Sequence, residues 1–348
     1  MLKRILFTAC LALAAPGLAQ NAETNIVSGP AGGTDAAIGE DLVNLAAECG
    51  LEVAAPATSG DVENFLAVRD RPVTQMGFVQ GDVLEYFQTF RTDDPEIRRA
   101  IQGIRIAMPL HMSEVHVLAR KDLVDLSDLD GARVSVGADG SGTAVTASLV
   151  LDLAGIVPAE RLALSPDAAL AALDEGRADA VILVEGSPSP RITARTVDPD
   201  RFHLVPVEGP VLNAVYERGR IEAEDYPFLD DGAATVSVRT TLVAYDFDPA
   251  QNAYHAASCD MVSNMTHLIV TRLDGLRARG HPKWSEIDPA AIPEGWLVSD
   301  CALRGVTPSF AFLCRAPDGT VGPSETVDPE PDGPNALFRQ RICDRIGC

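Results

Sequence analysis

The residues best placed to do chemistry lie in one glycine-rich turn, Gly137-Ala138-Asp139-Gly140-Ser141-Gly142-Thr143. Val134 and Val136 ahead of it read as a strand. After it, apolar residues recur at helical spacing (Val145, Leu149, Leu153) until Gly155 stops the helix. The first N–H groups of such a helix have no internal partners and point into the turn. With the hydroxyls of Ser141 and Thr143 beside them, they can hold an anionic group such as a carboxylate. An ordinary capped strand-to-helix junction has the same sequence signature, so the rest of the chain must decide. Glycines at 137, 140 and 142 miss the G-x-G-x-x-G spacing of a dinucleotide site. Ser141 lacks the G-x-S-x-G frame of a nucleophile elbow. The order of residues yields no Ser–His–Asp or Cys–His set, so neither enzymatic activity nor a cofactor is expected.

Positioning that turn requires alternating strands and helices, and the chain supplies them. A first strand at Asn25–Ser28 leads into the turn Gly29–Thr34 and a helix to Cys49; Leu51–Ala55 reads as the next strand. Thr58-Ser59-Gly60-Asp61 has the N-cap chemistry to open a helix through Val68. Met76–Val79 is a short apolar strand ending in Gln80-Gly81-Asp82, ahead of another helix. A second series begins after Pro109, with a strand at Glu114–Arg120, a helix at Pro166–Glu175, and buried strands at Ala180–Val184 and Phe202–Pro206. Thr235–Tyr245 alternates as a segment returning between two domains would, and 249–279 is mostly helical. The pattern implies α/β layers around a largely parallel sheet. Four turns, at Gly29–Thr34, Gln80–Asp82, Ser141–Thr143 and Glu185–Ser187, follow strand ends, where open α/β sheets bind ligands. Two facing lobes would bring them to one cleft.

Residues 1–19 have the parts of a secretory signal: Lys3 and Arg4, an apolar run from Ile5 to Ala15, and small residues up to Ala19. The run is shorter than the about 20 residues that span a bilayer. A soluble, exported, periplasmic protein is expected. The formal charge of −22 argues against nucleic acid and anionic membranes as partners. Of seven cysteines, Cys10 would leave with the signal. Cys49, Cys259, Cys301, Cys314, Cys343 and Cys348 would remain as disulfide candidates, with 15 possible pairings among six. No C-x-x-C and no histidine cluster points to a metal, and the six scattered histidines read as structural. Beyond Trp296 the last four cysteines enclose an acidic, proline-rich stretch and are expected to form a small stapled appendage.

The order of motifs resembles the TAXI family, the extracytoplasmic solute-binding subunits of a class of TRAP transporters. The matching pieces are SGPAGGTDAAIG near the start, SGDVENF at Ser59–Phe65, MGFVQGDV at Met76–Val83 and SEVHVLARKDL at Ser113–Leu123. They continue with DLDGARVSVGADGSGT at Asp128–Thr143, EGRADAVILVEGSPSP at Glu175–Pro190 and ATVSVRTTLVA at Ala234–Ala244. The resemblance spans roughly residues 25 to 285. It implies a two-lobed periplasmic-binding-protein fold, type II-like, that closes on a small solute. Lobe 1 would comprise residues 20–112 and 235–296, lobe 2 residues 113–234, and the cysteine-rich tail 297–348. It implies a small carboxylate or amino acid as ligand and a membrane TRAP permease as partner. Carried over position by position, the ligand would lie among Gly33, Thr34, Ser59, Asn64, Gln80, Ser141, Gly142, Thr143, Glu185, Gly186 and Ser187. Ser141 and Thr143 would hold the carboxylate, with Thr34 and Gln80 adding neutral hydrogen bonds from the other lobe. Where the family shows GGT followed by an aromatic pair, this chain has Asp35 and Ala36. A carboxylate there would repel an anion unless the ligand also carries an amine. A periplasmic sensor on the same fold, uncoupled from transport, is the alternative.

Overall fold

The computed structural model describes residues 24–91, 93–315 and 319–322. The expected signal segment, Cys10, Cys343, Cys348 and most of the acidic tail lie outside them. Lobe 1 opens with β1 (Thr24–Val27), α1 (Thr34–Glu48), β2 (Val53–Ala54), α2 (Asp61–Asp70), β3 (Thr74–Gln80), α3 (Gly81–Phe90) and α4 (Pro95–Gly103). β1 pairs in parallel with both β2 and β3. Lobe 2 repeats the scheme with β5 (Arg133–Ser135), α5 (Gly142–Ala154), β6 (Glu160–Leu162), α6 (Pro166–Asp174) and β7 (Ala180–Glu185). There β5 pairs in parallel with β6 and β7.

Two long strands cross between these units. β4 (Ile104–Arg120) and β10 (Ala233–Tyr245) run antiparallel to one another, and each completes one lobe's sheet. β10 lies antiparallel on β3, giving the order β2-β1-β3-β10, and β4 lies antiparallel on β7, giving β6-β5-β7-β4. The lobes thus share one strand order, and each is closed by a strand running through both. Short β8 (Phe202–Leu204) pairs β4 and β9 (Glu217–Ile221) pairs β10.

The crossing is irregular where the lobes meet. Arg239 pairs with Met112 and Thr241 with Pro109, so Leu110 and His111 together face the single residue Thr240, a bulge that bends both strands. The expectation that the second series starts after Pro109 is therefore corrected: β4 begins at Ile104 and passes through Pro109. A proline, lacking an N–H, is tolerated beside such a bulge.

Alternating side chains of each sheet enter separate cores on its two faces. In lobe 1, Ile26 joins Met76, Phe78 and Leu242 beneath α1 and α9 (Ala253–Thr271), while Val27 joins Val79, Phe65 and Phe87 beneath α2 and α3. In lobe 2, Ile182 and Val184 face α5, while Val181 and Leu183 face α6. Burial on both faces explains why Met76–Val79 of β3 and Ala180–Val184 of β7 read as unbroken apolar runs.

Cys301 bonds Cys259 on α9, and Cys314 bonds Cys49 at the end of α1. These links tie the start of the cysteine-rich tail to lobe 1. Cys301, Val306, Phe312 and Cys314 are apolar enough to join the lobe 1 core, and the chain through α11 (Asp300–Gly305) is bonded to that lobe rather than to itself. Among the described residues no helix is long and apolar enough to cross a membrane.

Candidate functional site

The α5 N-terminus forms as its residues dictate. Ser141 is the N-cap, its hydroxyl accepting from Ala144 N–H at 3.1 Å, and Gly155 takes the left-handed conformation (φ 71°) at the other end. The Ser141 hydroxyl also donates to Ala138 O, and Thr143 Oγ1 accepts from Val184 N–H. Both hydroxyls are thus engaged with backbone. The Gly142 N–H is the group that meets a carboxylate, and that carboxylate belongs to the chain itself. Asp61, in the first turn of α2 in lobe 1, accepts from Gly142 N–H at 3.1 Å through Oδ2 and from Gln80 N–H at 2.6 Å through Oδ1.

Around this contact the strand-end turns of both lobes enclose a cavity of about 40 Å3, room for a few water molecules. Gly33, Thr34, Gln80, Ser141, Gly142, Thr143 and Glu185 line it, together with Asp35, Gly60 and Asp61. The lobes meet closely there. An added Cβ on Gly60, at φ +125°, would lie 3.1 Å from Ser141 Cα, and one on Gly142 would lie 2.2 Å from Asp61 Oδ2. Further interlobe bonds run from Thr34 Oγ1 to Gly186 O and from Gln80 Nε2 to Val184 O. Thr146 of α5 donates to Gln80 Oε1 and to Asp82 Oδ2, which also accepts from Tyr216 OH.

The walls are acidic. Asp35 is mostly enclosed, with 21% of its side chain exposed; its Oδ1 has no hydrogen-bond partner and lies 3.3 Å from His111 Nε2. Burial pushes the Asp35 carboxyl up to about 7. Asp61 is likewise pushed up to about 7, first by burial and then by the Asp35 charge, against the lowering effect of the Gln80 N–H. Burial raises Asp82 to about 6. Burial, with Lys283 next, drops His111 to about 3, so its ring is neutral and brings no positive charge to Asp35.

Two buried cations brace the cleft. Arg191, in α7 (Pro190–Thr193), pairs with Glu185 at 2.7 Å and donates across to the carbonyls of Pro30 and Ala31. Lys283 pairs with Glu114 on β4 and with Glu286. Glu114 also accepts from Ser187 N–H, and burial raises its carboxyl to about 7 against the pull of Lys283.

A family model described as the NMT1-like family matches residues 26–277, well over half the chain. The chain belongs to the NMT1-like family. It is also similar to three solved structures, all loosely. One is the GluR0 ligand-binding core from Nostoc punctiforme in complex with L-glutamate, at 17% identity, covering 71% of this chain and 96% of that one, TM-score 0.40. Another is the ArgBP from T. maritima, at 15% identity, 72% and 94% coverage, TM-score 0.40. The third is the periplasmic binding protein BugD, at 10% identity, 70% and 82% coverage, TM-score 0.45. The architecture itself is two α/β lobes of matching strand order joined by two crossing strands.

Within this NMT1-like chain, four of the residues that the resemblance assigns to the ligand do not line the cavity. Asn64 is fully buried inside lobe 1, accepting from Thr58 and donating to Phe78 O. Ser59 is exposed and bonds Glu63. Gly186 gives only its carbonyl to Thr34, and Ser187 bonds Glu114 and Asp225. Three further residues contribute to the cleft although the resemblance does not assign them to the ligand. Asp61 follows the glycine that permits the close lobe contact, Arg191 stands one residue beyond the EGRADAVILVEGSPSP match, and His111 reads in sequence as one more structural histidine. Only the Gly60-Asp61 pair carries a usable signal, a glycine and an acid together at a helix start.

Proposed function

We propose that the chain is an extracytoplasmic solute-binding protein that captures a small carboxylate or amino acid between its lobes. In this reading it delivers the solute to the membrane permease of a TRAP-type secondary transporter, as the family resembled in sequence does. The observation that carries the reading is the meeting of both lobes' strand-end turns around one cavity, with a helix N-terminal N–H already holding a carboxylate. The residues that would touch the solute are Gly33, Thr34, Gln80, Gly142, Thr143 and Glu185, joined by Asp35 and Asp61. An amino-acid-sized solute needs more room than about 40 Å3, so capture requires the lobes to part and close again.

Thermal-shift screening of the purified protein against carboxylates and amino acids tests binding. A true ligand stabilises by RT ln(1 + [L]/Kd), about 2.7 kcal/mol at 100 times Kd. No shift across a broad panel removes the reading. Uptake of the identified solute into vesicles carrying a TRAP permease, dependent on added protein, tests the coupling. Binding without uptake favours the sensor alternative.

A further inference from the structure

A second cavity opens beside the crossing strand β10. It holds about 410 Å3, against about 40 Å3 between the strand-end turns, and the two share no described lining residue. Tyr86 of α3 and Trp296 line it from lobe 1, Leu149 and Leu153 of α5 and Val215 from lobe 2, and Arg239 from β10 itself. We propose that this cavity is a ligand site for an amphiphile with one apolar chain and a carboxylate head, the chain lying among these side chains and the head pairing with Arg239. The site is separate from the interlobe solute site and does not rest on it.

The walls supply the first argument. Phe90 and Val215, which also line the cavity, leave 64% and 60% of their surface open to solvent, so apolar area here stands uncovered on both lobes. The guanidinium supplies the second. Arg239 is the one cation among the described lining residues, and only 21% of its side chain is exposed. Its Nη1 donates to Leu110 O at 3.0 Å, while its Nη2 lies 3.9 Å from Glu217, beyond hydrogen-bond reach. A guanidinium carries five N–H donors in a planar fork, a shape that matches a carboxylate's two oxygens. The acids of the lining do not take that place. Glu85 and Glu217 are exposed, where water and salt screen them, and Asp82 Oδ2 is held by Thr146 and Tyr216 OH. A small polar solute would leave the apolar walls wet, and an alkyl alcohol would leave the guanidinium without an anion. An alkyl amine would set a second positive charge against Arg239. A carboxylate on an apolar chain meets both the walls and the cation.

The test is titration of the purified protein with hexanoate, octanoate and decanoate below their micelle-forming concentrations, by calorimetry and tryptophan fluorescence. Trp296 lines the cavity, whereas the chain's other tryptophan, Trp284, is fully buried in the lobe 1 core. The fluorescence change should therefore vanish in Trp296→Phe while the heat of binding remains. Affinity is expected to rise about threefold with each added methylene, as burial of an alkyl chain requires. Arg239→Gln is expected to weaken decanoate by about tenfold or more and to leave decanol within about twofold. Arg239→Lys, which keeps the charge, should recover most of the loss and guards against a disturbed β10. Leu153→Glu, at a half-buried position near the end of α5, should abolish binding of both probes with the fold retained by circular dichroism. Decylamine binding as tightly as decanoate overturns the head-group assignment. Affinity independent of chain length, or binding that survives Leu153→Glu, overturns the cavity as the site. Failure of every probe with a folded wild-type protein overturns the proposal outright, and the solute-binding reading still stands or falls by its own thermal-shift panel.

Discussion

Replacing Asp35 with Asn should stabilise the ligand-free protein, and do so only above acidic pH. Asp35 is an enclosed carboxyl without a hydrogen bond at Oδ1, raised by burial from 3.8 to about 7. Between those two values the folded state holds a proton that the unfolded chain has released. The native state then binds more protons than the unfolded one, so stability falls as pH rises through this window. Every tenfold gain in proton affinity on folding is worth about 1.4 kcal/mol, which sets a ceiling of about 4 kcal/mol on the cost of Asp35 at pH 8. Relaxation of the cleft lowers the realised value, so about 2–4 kcal/mol is the expected order. Urea unfolding of wild type and Asp35→Asn at pH 4.5, 6 and 8 reads it directly. The variant should lead by at most about 1 kcal/mol at pH 4.5, and the gap should widen steadily towards pH 8. Asp61 and Asp82 titrate in both proteins, so the difference isolates Asp35, apart from the relief it gives Asp61. Equal stability at pH 8, or a wild type that gains on the variant as pH rises, would refute the assignment of a buried, uncompensated carboxyl.

Arg191→Met should destabilise by about 3–5 kcal/mol in chemical denaturation, because it leaves Glu185 buried and unpaired and strips the donors from Pro30 O and Ala31 O. Gly142→Ala should keep the lobes apart, since its Cβ would collide with Asp61 Oδ2; small-angle scattering should show a larger radius of gyration than wild type, and an unchanged one would count against the close contact. Removing the Cys49–Cys314 link, which joins positions 265 residues apart, should lower stability by up to about 5 kcal/mol, against about 4 kcal/mol for Cys259–Cys301, separated by 42. Melting of the two Cys→Ser pairs orders them.

The alternation of strands and helices is readable because each segment is short, apolar on the right period and punctuated by glycine or a cap; α5 with its stop at Gly155 is the clearest case. The start of β4 is not readable, because Pro109 looks like a break until its position beside a bulge is known. The strand-end turns point to the cleft, since Gly33, Thr34, Gln80, Gly142, Thr143 and Glu185 do converge there. What occupies the anion position is hidden. Asp61 reaches Gly142 across 81 positions of sequence, a contact that no local pattern encodes. Arg191 and His111 are buried partners created by the meeting of the lobes, and composition alone leaves them looking ordinary.

The bond between Cys49 and Cys314 closes the backbone into a covalent ring that contains all of lobe 2 and both crossing strands. A single proteolytic cut anywhere between those cysteines leaves one covalently connected molecule, with the fragments released only when the bond is reduced. Proteolytic damage to an exposed loop of lobe 2 therefore need not end in the loss of the molecule. Nicked material should run intact on non-reducing gels and separate on reducing ones.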